Sequence, residues 1–331
     1  MKAEFRPPYS KNREPLWKLL PLLTPLTIYV DPSNVCNFSC QHCFHGNKNW
    51  LEKMPRQTMM DMNLFGKILN DLKEFPSPVK MIHLNGFGEP LLNKNLSTMI
   101  RLLKTRGIAE RVAITTNGSK FTDENMKEII KAGLDQIHIS IYGLSQAQYA
   151  KFTHNNFNFN ELVANIKKLY SIKGNCHIHI KISGNYFSEE EQKRFLEIFR
   201  DFCDTIFIGN AVNAWPGIDI KDTLKVGASL RHQYCQDIVK GKICPNLFYQ
   251  LLIHSDGACS PCCVDFEQKN VIGDVNKESL INIWRNKLQN KQNKYTTCRN
   301  CEFPIVSSTV NINPYAKELL QKYKNVEDHI G

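Results

Sequence analysis

The chain has 331 residues, of which 42% are hydrophobic and 22% charged, and its formal net charge is +10. These values predict a soluble globular protein with one large domain or two, and they exclude a chain that is disordered over most of its length. The positive charges are spread along the chain without a run of five, which argues against nucleic-acid binding but could steer an acidic substrate or electron-donor protein.

The sequence contains no targeting or membrane signal. No stretch approaches the roughly 18 consecutive apolar residues of a membrane span, and the apolar segment 16–30 is interrupted by Pro21 and Pro25. A signal peptide is not indicated either, because a small-residue cleavage site is missing. We therefore predict a cytoplasmic protein, and for a chain with twelve cysteines in that reducing compartment metal binding is favoured over disulfides.

From residue 27 onward, short β-rich runs alternate with longer amphipathic stretches. The predicted strands are 28–30, 81–84, 112–115, 136–141, 177–182 and 205–208, and the predicted helices are 59–74, 96–106, 124–131, 161–170 and 189–202. Six strands that alternate with helices indicate parallel βαβ units and hence an α/β fold.

The same rhythm suggests the domain boundaries. Residues 1–25 are expected to form an N-terminal arm that packs on the first domain and is too short to be a separate recognition domain. Residues 26–210 should form the βα domain, 211–310 a second domain rich in cysteine, and 311–331 a tail.

Three cysteines, Cys36, Cys40 and Cys43, lie within eight residues in the loop after the first strand. Three thiolates on one tight loop can bind one face of an iron–sulfur cluster and leave one iron without a protein ligand. Half of a zinc site is the alternative, although tetrahedral zinc needs a fourth ligand. This Cys-x3-Cys-x2-Cys pattern resembles the signature of the radical S-adenosylmethionine (SAM) superfamily. The resemblance covers about residues 25–210 and implies a partial (β/α)6 TIM-like barrel.

Polar residues follow the other strands at the same end. Since the carboxyl ends of parallel strands meet at one face, we expect these loops to line one cavity. The segment Gly86-Phe87-Gly88-Glu89-Pro90 is similar to the family's Gly-Gly-Glu-Pro segment, with Phe87 in place of one glycine, and the resemblance implies that Glu89 binds the amino group of SAM. A simple strand–helix turn is the alternative.

Three further residues are candidates for binding SAM. Asn117 and Ser140 offer amide and hydroxyl groups suited to ribose hydroxyls or the SAM carboxylate, although each is also a common turn residue. His42 occupies a position that is usually aromatic in the family, which implies a place near the adenine. The candidate cofactor-binding residues are thus His42, Gly88, Glu89, Asn117 and Ser140.

A second group of cysteines lies beyond residue 210. Residues 248–254 alternate in polarity before Ser255-Asp256-Gly257, which predicts a β-hairpin that brings Cys244 back beside Cys262. With an amphipathic helix near 279–288 and the pair Cys298 and Cys301, this arrangement resembles the SPASM/twitch extension of radical SAM proteins. The resemblance implies one auxiliary [4Fe–4S] cluster on Cys244, Cys262, Cys298 and Cys301. Cys259 and Cys263 are spare candidates, and a structural zinc remains the alternative.

The other candidate residues are less specific. Cys176 and Cys203 are expected to be small buried hydrophobes. Cys235 is either an inert thiol or a hydrogen-atom donor. Trp215, Asp219 and Tyr142 are candidates for the substrate wall, although a core aromatic or a surface carboxylate is the more common role for such residues. No catalytic general base can be assigned from the sequence.

The resemblance implies reductive cleavage of SAM to a 5′-deoxyadenosyl radical that takes a hydrogen atom from the substrate. An auxiliary cluster that accepts a second electron favours a two-electron oxidation, which we expect to act on a small polar metabolite such as a sugar or cyclitol derivative. The alternatives are crosslinking or epimerisation of a peptide and, in another class, a zinc-binding interaction protein. The expected partners are the substrate and an electron donor such as flavodoxin or ferredoxin.

Overall fold

The structure, a computed structural model, describes residues 2–8, 13–212, 215, 239–240, 244–289, 305–306, 312–319 and 321–322. Its centre is a sheet of seven parallel strands. The strands are β1 (Glu4–Phe5), β2 (Thr27–Val30), β3 (Val79–His83), β4 (Ala109–Thr116), β5 (Gln136–Ile141), β6 (His177–Ser183) and β7 (Thr205–Gly209). They lie in the order β1-β7-β6-β5-β4-β3-β2, which confirms the predicted partial barrel of parallel βαβ units.

Helices connect these strands and cover the outside of the sheet. They are α1 (Leu16–Leu19), α2 (Lys48–Leu51), α3 (Met62–Leu72), α4 (Leu96–Thr105), α5 (Asp123–Lys131), α6 (Gln146–Thr153), α7 (Phe159–Ile172) and α8 (Glu189–Phe199). Local sequence sets several helix starts: Thr122 and Asn125 form a capping box at α5, and Ser188 and Glu191 form another at α8. The core lies between these helices and the sheet, where residues such as Ile28, Ile82 and Ile180 are fully buried.

The N-terminal arm contributes a strand that the sequence did not indicate. Glu4 pairs with Thr205 and Phe5 with Ile206, so β1 lies in parallel beside the last barrel strand. Two residues are too few to show a β-strand period, and this pairing is visible only in three dimensions.

At the other edge of the barrel, the predicted hairpin extends the same sheet. A short helix, α9 (Asn246–Tyr249), precedes β9 (Gln250–Ile253), and β10 (Ala258–Ser260) and β11 (Gly273–Asp274) follow. Strand β9 pairs in parallel with β2, from Thr27 opposite Gln250 to Val30 opposite Ile253. Gly257 closes the hairpin with φ at +96°, a backbone conformation that glycine adopts without strain.

A later helix, α10 (Leu280–Gln289), fastens the C-terminal part to the barrel. The backbone amide of Leu280 donates to the Asp71 carboxylate on α3 at 3.1 Å, and the Trp284 indole donates to the Leu22 carbonyl at 3.0 Å. Two further short strands, β8 (Val239–Lys240) and β12 (Ile305–Val306), pair with each other. Among the residues described, no helix is long and apolar enough to cross a membrane. The predicted boundaries at residues 25, 210 and 310 stay predictions.

Candidate functional site

The loop that carries the first three cysteines is held against the end of α6. The amide of Ser39 donates to the Thr153 carbonyl at 3.0 Å, and that of Gln41 donates to the Phe152 carbonyl at 2.9 Å. Within the loop, the Cys43 amide donates to the Cys40 carbonyl at 2.9 Å. The sequence brings the three thiols together in one tight turn, and α6 fixes that turn at the carboxyl end of the barrel.

The three thiols lie in surroundings that disfavour free thiolates. Burial raises the pKa of Cys36 to about 11 and that of Cys43 to about 12, and burial together with the other two thiols raises the pKa of Cys40. A bound cationic metal group would reverse this preference, because coordinating thiols are deprotonated. The donor set therefore fits an iron–sulfur cluster.

Glu89 is buried and lies at the end of β3, held by three donors. The Thr116 hydroxyl donates to Glu89 Oε1 at 2.6 Å, the Asn117 amide to Oε2 at 2.8 Å, and the Leu91 amide to Oε1 at 3.1 Å. Despite these bonds, burial raises its pKa to about 7. An oriented carboxylate of this kind would be stabilised by a cationic amine. Sequence reasoning missed the role of Thr116, which depends on the register between strands.

Asn117 joins the Glu89 segment to the cysteine loop. Its side-chain amide donates to Asn37 Oδ1 at 3.2 Å, and its Oδ1 accepts from the Ser119 hydroxyl at 2.6 Å. Asn37 in turn donates to Ser119 Oγ at 2.8 Å. This network fixes the residue that follows Cys36 relative to the end of β4.

His45 makes a second link between these loops. Its Nε2 donates to the Phe87 carbonyl at 2.7 Å, so the cysteine loop is tied to the segment Gly86–Pro90. Gly88 is required in that segment, because a Cβ there would lie 2.2 Å from the Ser33 carbonyl oxygen and 2.3 Å from that of Val35.

The candidate residues at the strand ends surround one cavity of about 220 Å³. Its lining includes every residue of the first predicted site, namely Cys36, Cys40, Cys43, His42, Gly88, Glu89, Asn117 and Ser140. Asn85 also lines it, and its buried side-chain oxygen has no hydrogen-bond partner, so it can accept from a bound ligand. The sequence did not single out Asn85, although it directly precedes the Gly86–Pro90 segment. Thiols at one side, a carboxylate at another and an unsatisfied amide oxygen are consistent with a cluster and SAM.

Three thiols on one loop can bind three separate irons of one four-iron cluster, so they do not need to converge on one point. In the described ranges, no group of three or more His, Cys, Asp or Glu side chains is arranged to hold a single ion.

A second cavity of about 230 Å³ adjoins the first. Both are lined by His42, Ser140, Tyr142 and Trp215. The role of Tyr142 and Trp215 as a substrate wall stays a prediction. The His42 ring stacks on Tyr142 at 5.4 Å, and burial lowers the His42 pKa to about 4, so its imidazole is neutral. Asp219 lies outside the described residues.

The downstream cysteines divide into two groups. The thiols of Cys244, Cys262 and Cys263 lie close enough to Tyr249 for their charges to raise the pKa of its hydroxyl, after burial as the main cause. Cys259 is fully buried in the core, where the charge of Asp274 acts on it, and it is not among the thiols that act on Tyr249. Cys263 is therefore a better spare candidate than Cys259. Cys235, Cys298 and Cys301 lie outside the described residues.

Four aromatic side chains, Phe44, Phe87, Trp215 and Phe266, pack together between the two cysteine regions; we call them the aromatic bridge. The Phe44 ring stacks on Phe266 at 4.6 Å and meets the edge of Trp215 at 4.8 Å. Phe87 lies 6.0 Å from Phe44 and 6.1 Å from Trp215. Phe44 follows Cys43 directly, so the bridge connects the first cluster loop to the C-terminal part of the chain.

Two family profiles match the chain. The radical SAM superfamily profile matches residues 30–201, and the profile of the SPASM iron–sulfur cluster-binding domain matches residues 244–302. The chain belongs to the radical SAM superfamily and carries a C-terminal SPASM domain. This confirms the predicted family and its cofactors, which are SAM, a [4Fe–4S] cluster and auxiliary iron–sulfur binding.

Among curated proteins, the chain is 37% identical over 121 residues to the "Tungsten-containing aldehyde ferredoxin oxidoreductase cofactor-modifying protein" of Pyrococcus furiosus. That match covers 37% of this chain and 32% of the relative. A GTP 3′,8-cyclase of Aquifex aeolicus is 30% identical, and that match covers 59% of this chain and 61% of the cyclase. The chain thus spans less than two thirds of these relatives.

Two solved structures show the same fold. BtrN in complex with AdoMet and 2-DOIA has a TM-score of 0.52 and 17% identity, covering 84% of this chain and 92% of its own. Streptococcus suis SuiB bound to the precursor peptide SuiA has a TM-score of 0.63 and 15% identity, covering 88% of this chain and 73% of its own. At these sequence identities the comparison shows a shared fold and nothing about a shared substrate.

Proposed function

We propose that this radical SAM protein cleaves SAM reductively and oxidises a small polar metabolite by removing one hydrogen atom, one electron and one proton. One observation carries the proposal: the three thiols, Glu89, Asn117 and Ser140 line one cavity, which shares His42, Ser140, Tyr142 and Trp215 with a second cavity. The first has the donors that SAM and a cluster need, and the second offers room for the molecule that loses hydrogen.

The residues have distinct roles in this proposal. Cys36, Cys40 and Cys43 hold the first cluster, and Glu89 accepts hydrogen bonds from the SAM amine. Asn117 and Ser140 bind the carboxylate or ribose of SAM, and the His42 ring lies beside its adenine. When bound, the first cluster supplies one electron to SAM, and the auxiliary cluster supplies an acceptor for the second electron of the oxidation.

The second cysteine region supports an oxidation rather than a rearrangement. The charges of Cys244, Cys262 and Cys263 all act on the Tyr249 hydroxyl, so each of these thiols lies in the neighbourhood of that side chain. We propose that Cys244 and Cys262 bind it together with Cys298 and Cys301, with Cys263 as the alternative to Cys262. The aromatic bridge shields the contact between this region and the first cluster loop from water, since Phe44, Phe87 and Phe266 are buried.

Peptide modification is a second candidate, favoured by the fold that the chain shares with SuiB. The two candidates separate in a labelling experiment with deuterated substrates. Transfer of deuterium into 5′-deoxyadenosine from a small metabolite supports the first, and transfer only from a peptide supports the second.

The proposed function is tested by anaerobic reconstitution with iron and sulfide. We expect about eight irons per chain and formation of 5′-deoxyadenosine from SAM under dithionite. The triple variant Cys36→Ala, Cys40→Ala, Cys43→Ala should lose about four irons and all SAM cleavage. Cys203→Ala, which removes a buried thiol remote from both cysteine regions, should keep both. A colourless zinc protein without SAM cleavage would contradict the proposal and favour the interaction-protein alternative.

A further inference from the structure

Lys181 lies on β6 and lines the second cavity. It occupies the same face of the strand as His179, two residues before it, and Ser183, two residues after it. Its ammonium makes no hydrogen bond or ion pair with any side chain or backbone group that the structure describes. It is also the one cation among the described residues lining either cavity.

Among the residues that the structure describes, no carboxylate compensates the charge of Lys181. Burial lowers its pKa, and no described acidic group acts against that shift. The positive charge of Lys181 helps to lower the pKa values of three imidazoles, those of His42, His138 and His179. Burial is the main cause of each of these shifts. A partly buried ammonium among neutral imidazoles is costly unless an anion accompanies it.

A second donor in the same cavity lacks a partner. The hydroxyl of Tyr186 is buried and bonds to no group in the part of the chain that the structure describes, and Tyr186 lines the cavity with Lys181. Burial raises the pKa of this hydroxyl, so it stays protonated and can donate. Ser140 and Ser183 add hydroxyls, while Phe152, Phe187 and Trp215 form apolar walls. An ammonium and a phenol that have no partner within the described ranges match the oxygens of an acid group.

We propose that Lys181 and Tyr186 bind a carboxylate or phosphate group of the substrate in the second cavity. This inference rests on the proposed function and narrows it to small acidic metabolites. It also predicts discrimination against amines, because a cationic aminocyclitol would place a second positive charge beside Lys181.

The carboxylate of SAM is the other source of such an acid group. Lys181 and Tyr186 line only the second cavity, whereas Glu89 and Asn117, the proposed SAM contacts, line only the first. We therefore assign the acid group to the substrate. The experiment must distinguish the two sources.

The test measures how fast the Lys181 amine reacts with methyl acetimidate in the reconstituted holoenzyme, read by mass spectrometry of the modified peptides. Inorganic phosphate and acetate serve as probes, each with and without SAM. We expect both probes to slow modification of Lys181 several-fold and saturably, with or without SAM. Lys80, an exposed lysine on β3, is the internal control and should react at a constant rate.

Variants provide a second readout that does not depend on turnover. Phosphate should raise the thermal unfolding temperature of the wild type and of Lys181→Arg but not of Lys181→Met, since only a ligand that binds the folded state stabilises it. Tyr186→Phe should need about tenfold more phosphate for the same rise in unfolding temperature. This factor corresponds to the loss of one hydrogen bond of roughly 1.4 kcal/mol.

Three results would overturn the inference. Protection of Lys181 by SAM alone would assign the lysine to the SAM carboxylate, and no protection by either probe would exclude an acid site. Complete resistance of Lys181 to the reagent would also contradict it, because a cavity open to a substrate admits a small amine reagent. SAM cleavage by the wild type tests the proposed function separately, so the two ideas fail in different experiments.

Discussion

Phe44 and Phe266 stack face to face, with ring centroids 4.6 Å apart and planes 6° from parallel. Phe44 follows Cys43, and Phe266 comes three residues after Cys263. Both rings are buried, so this pair joins the two predicted cluster loops through a dry contact.

We expect Phe266→Ala to loosen the first cluster loop. Removing a buried phenyl ring costs about 3–5 kcal/mol and leaves a cavity against Phe44. The variant should release iron from the first cluster faster than the wild type, followed as loss of cluster absorbance with a chelator. Phe195→Ala, which removes a buried ring from α8, is the matched control. Equal iron release from both variants would show that only global stability matters.

Glu89→Gln should weaken SAM binding. A hydrogen bond to a charged group contributes about 1.5–3 kcal/mol, so the Kd should rise roughly 10- to 150-fold. The loss should be seen by equilibrium dialysis of the reconstituted protein. Iron content should stay at the wild-type value, and Glu110→Gln, a change at an exposed position of β4, should leave the Kd unchanged. An unaltered Kd in Glu89→Gln would refute the assignment of the SAM amine to this carboxylate.

The affinity for SAM should also depend on pH. The pKa of Glu89 is raised to about 7 in the protein without SAM, so the carboxyl is mostly neutral below this pH and mostly ionised above it. The cationic amine of SAM prefers the ionised form. Affinity should therefore rise about tenfold per pH unit up to about pH 7 and level off above it. Dialysis at several pH values would reveal the profile, and a profile that Glu89→Gln leaves intact would point to a different group.

Asp31→Asn should stabilise the protein at neutral pH. Asp31 is fully buried, its oxygens have no hydrogen-bond partner of normal geometry, and burial raises its pKa from 3.8 to about 7 even though the backbone amides of Ser33 and Phe87 oppose the shift. Because the folded-state pKa lies above the unfolded one, ionisation disfavours folding increasingly between about pH 4 and 7. The full effect is at most on the order of 4 kcal/mol.

The measurement for Asp31 is anaerobic chemical denaturation at about pH 5 and about pH 8. The stabilisation by Asp31→Asn should be larger at the higher pH. Asp123→Asn is a control of opposite sign, since the Lys168 ion pair lowers the pKa of that exposed carboxyl and its removal should not stabilise the fold. A benefit of Asp31→Asn that is equal at both pH values would mean that ionisation is not its cause.

The sequence predicted the barrel and the first site because both depend on local signals. Strand periodicity placed Cys36 and Glu89 after successive strands, and parallel strands bring such positions to one edge. The sequence does not show which residues of different strands contact each other. The bond from Thr116 to Glu89 and the pairing of Thr27 with Gln250 depend on register between distant segments.

Lys181 was missed for a different reason. It was not among the candidate residues, although His177, His179 and Lys181 alternate with isoleucines along β6. This alternation indicates that one face of β6, the face toward the barrel interior, is polar. The unsatisfied hydroxyl of Tyr186 could not have been predicted, because only the folded structure shows which polar groups lack partners.

The parallel pairing of β9 with β2 has a consequence for any shortened form of this protein. A chain that stopped at residue 210 would retain the barrel strands but leave the backbone amides and carbonyls of one side of β2 unpaired. Exposed strand edges recruit strands from other molecules, and short edge strands and covering segments are how natural sheets prevent it. The hairpin that carries the downstream cysteines therefore also covers the edge of β2 and prevents the barrel from associating with other copies through that edge.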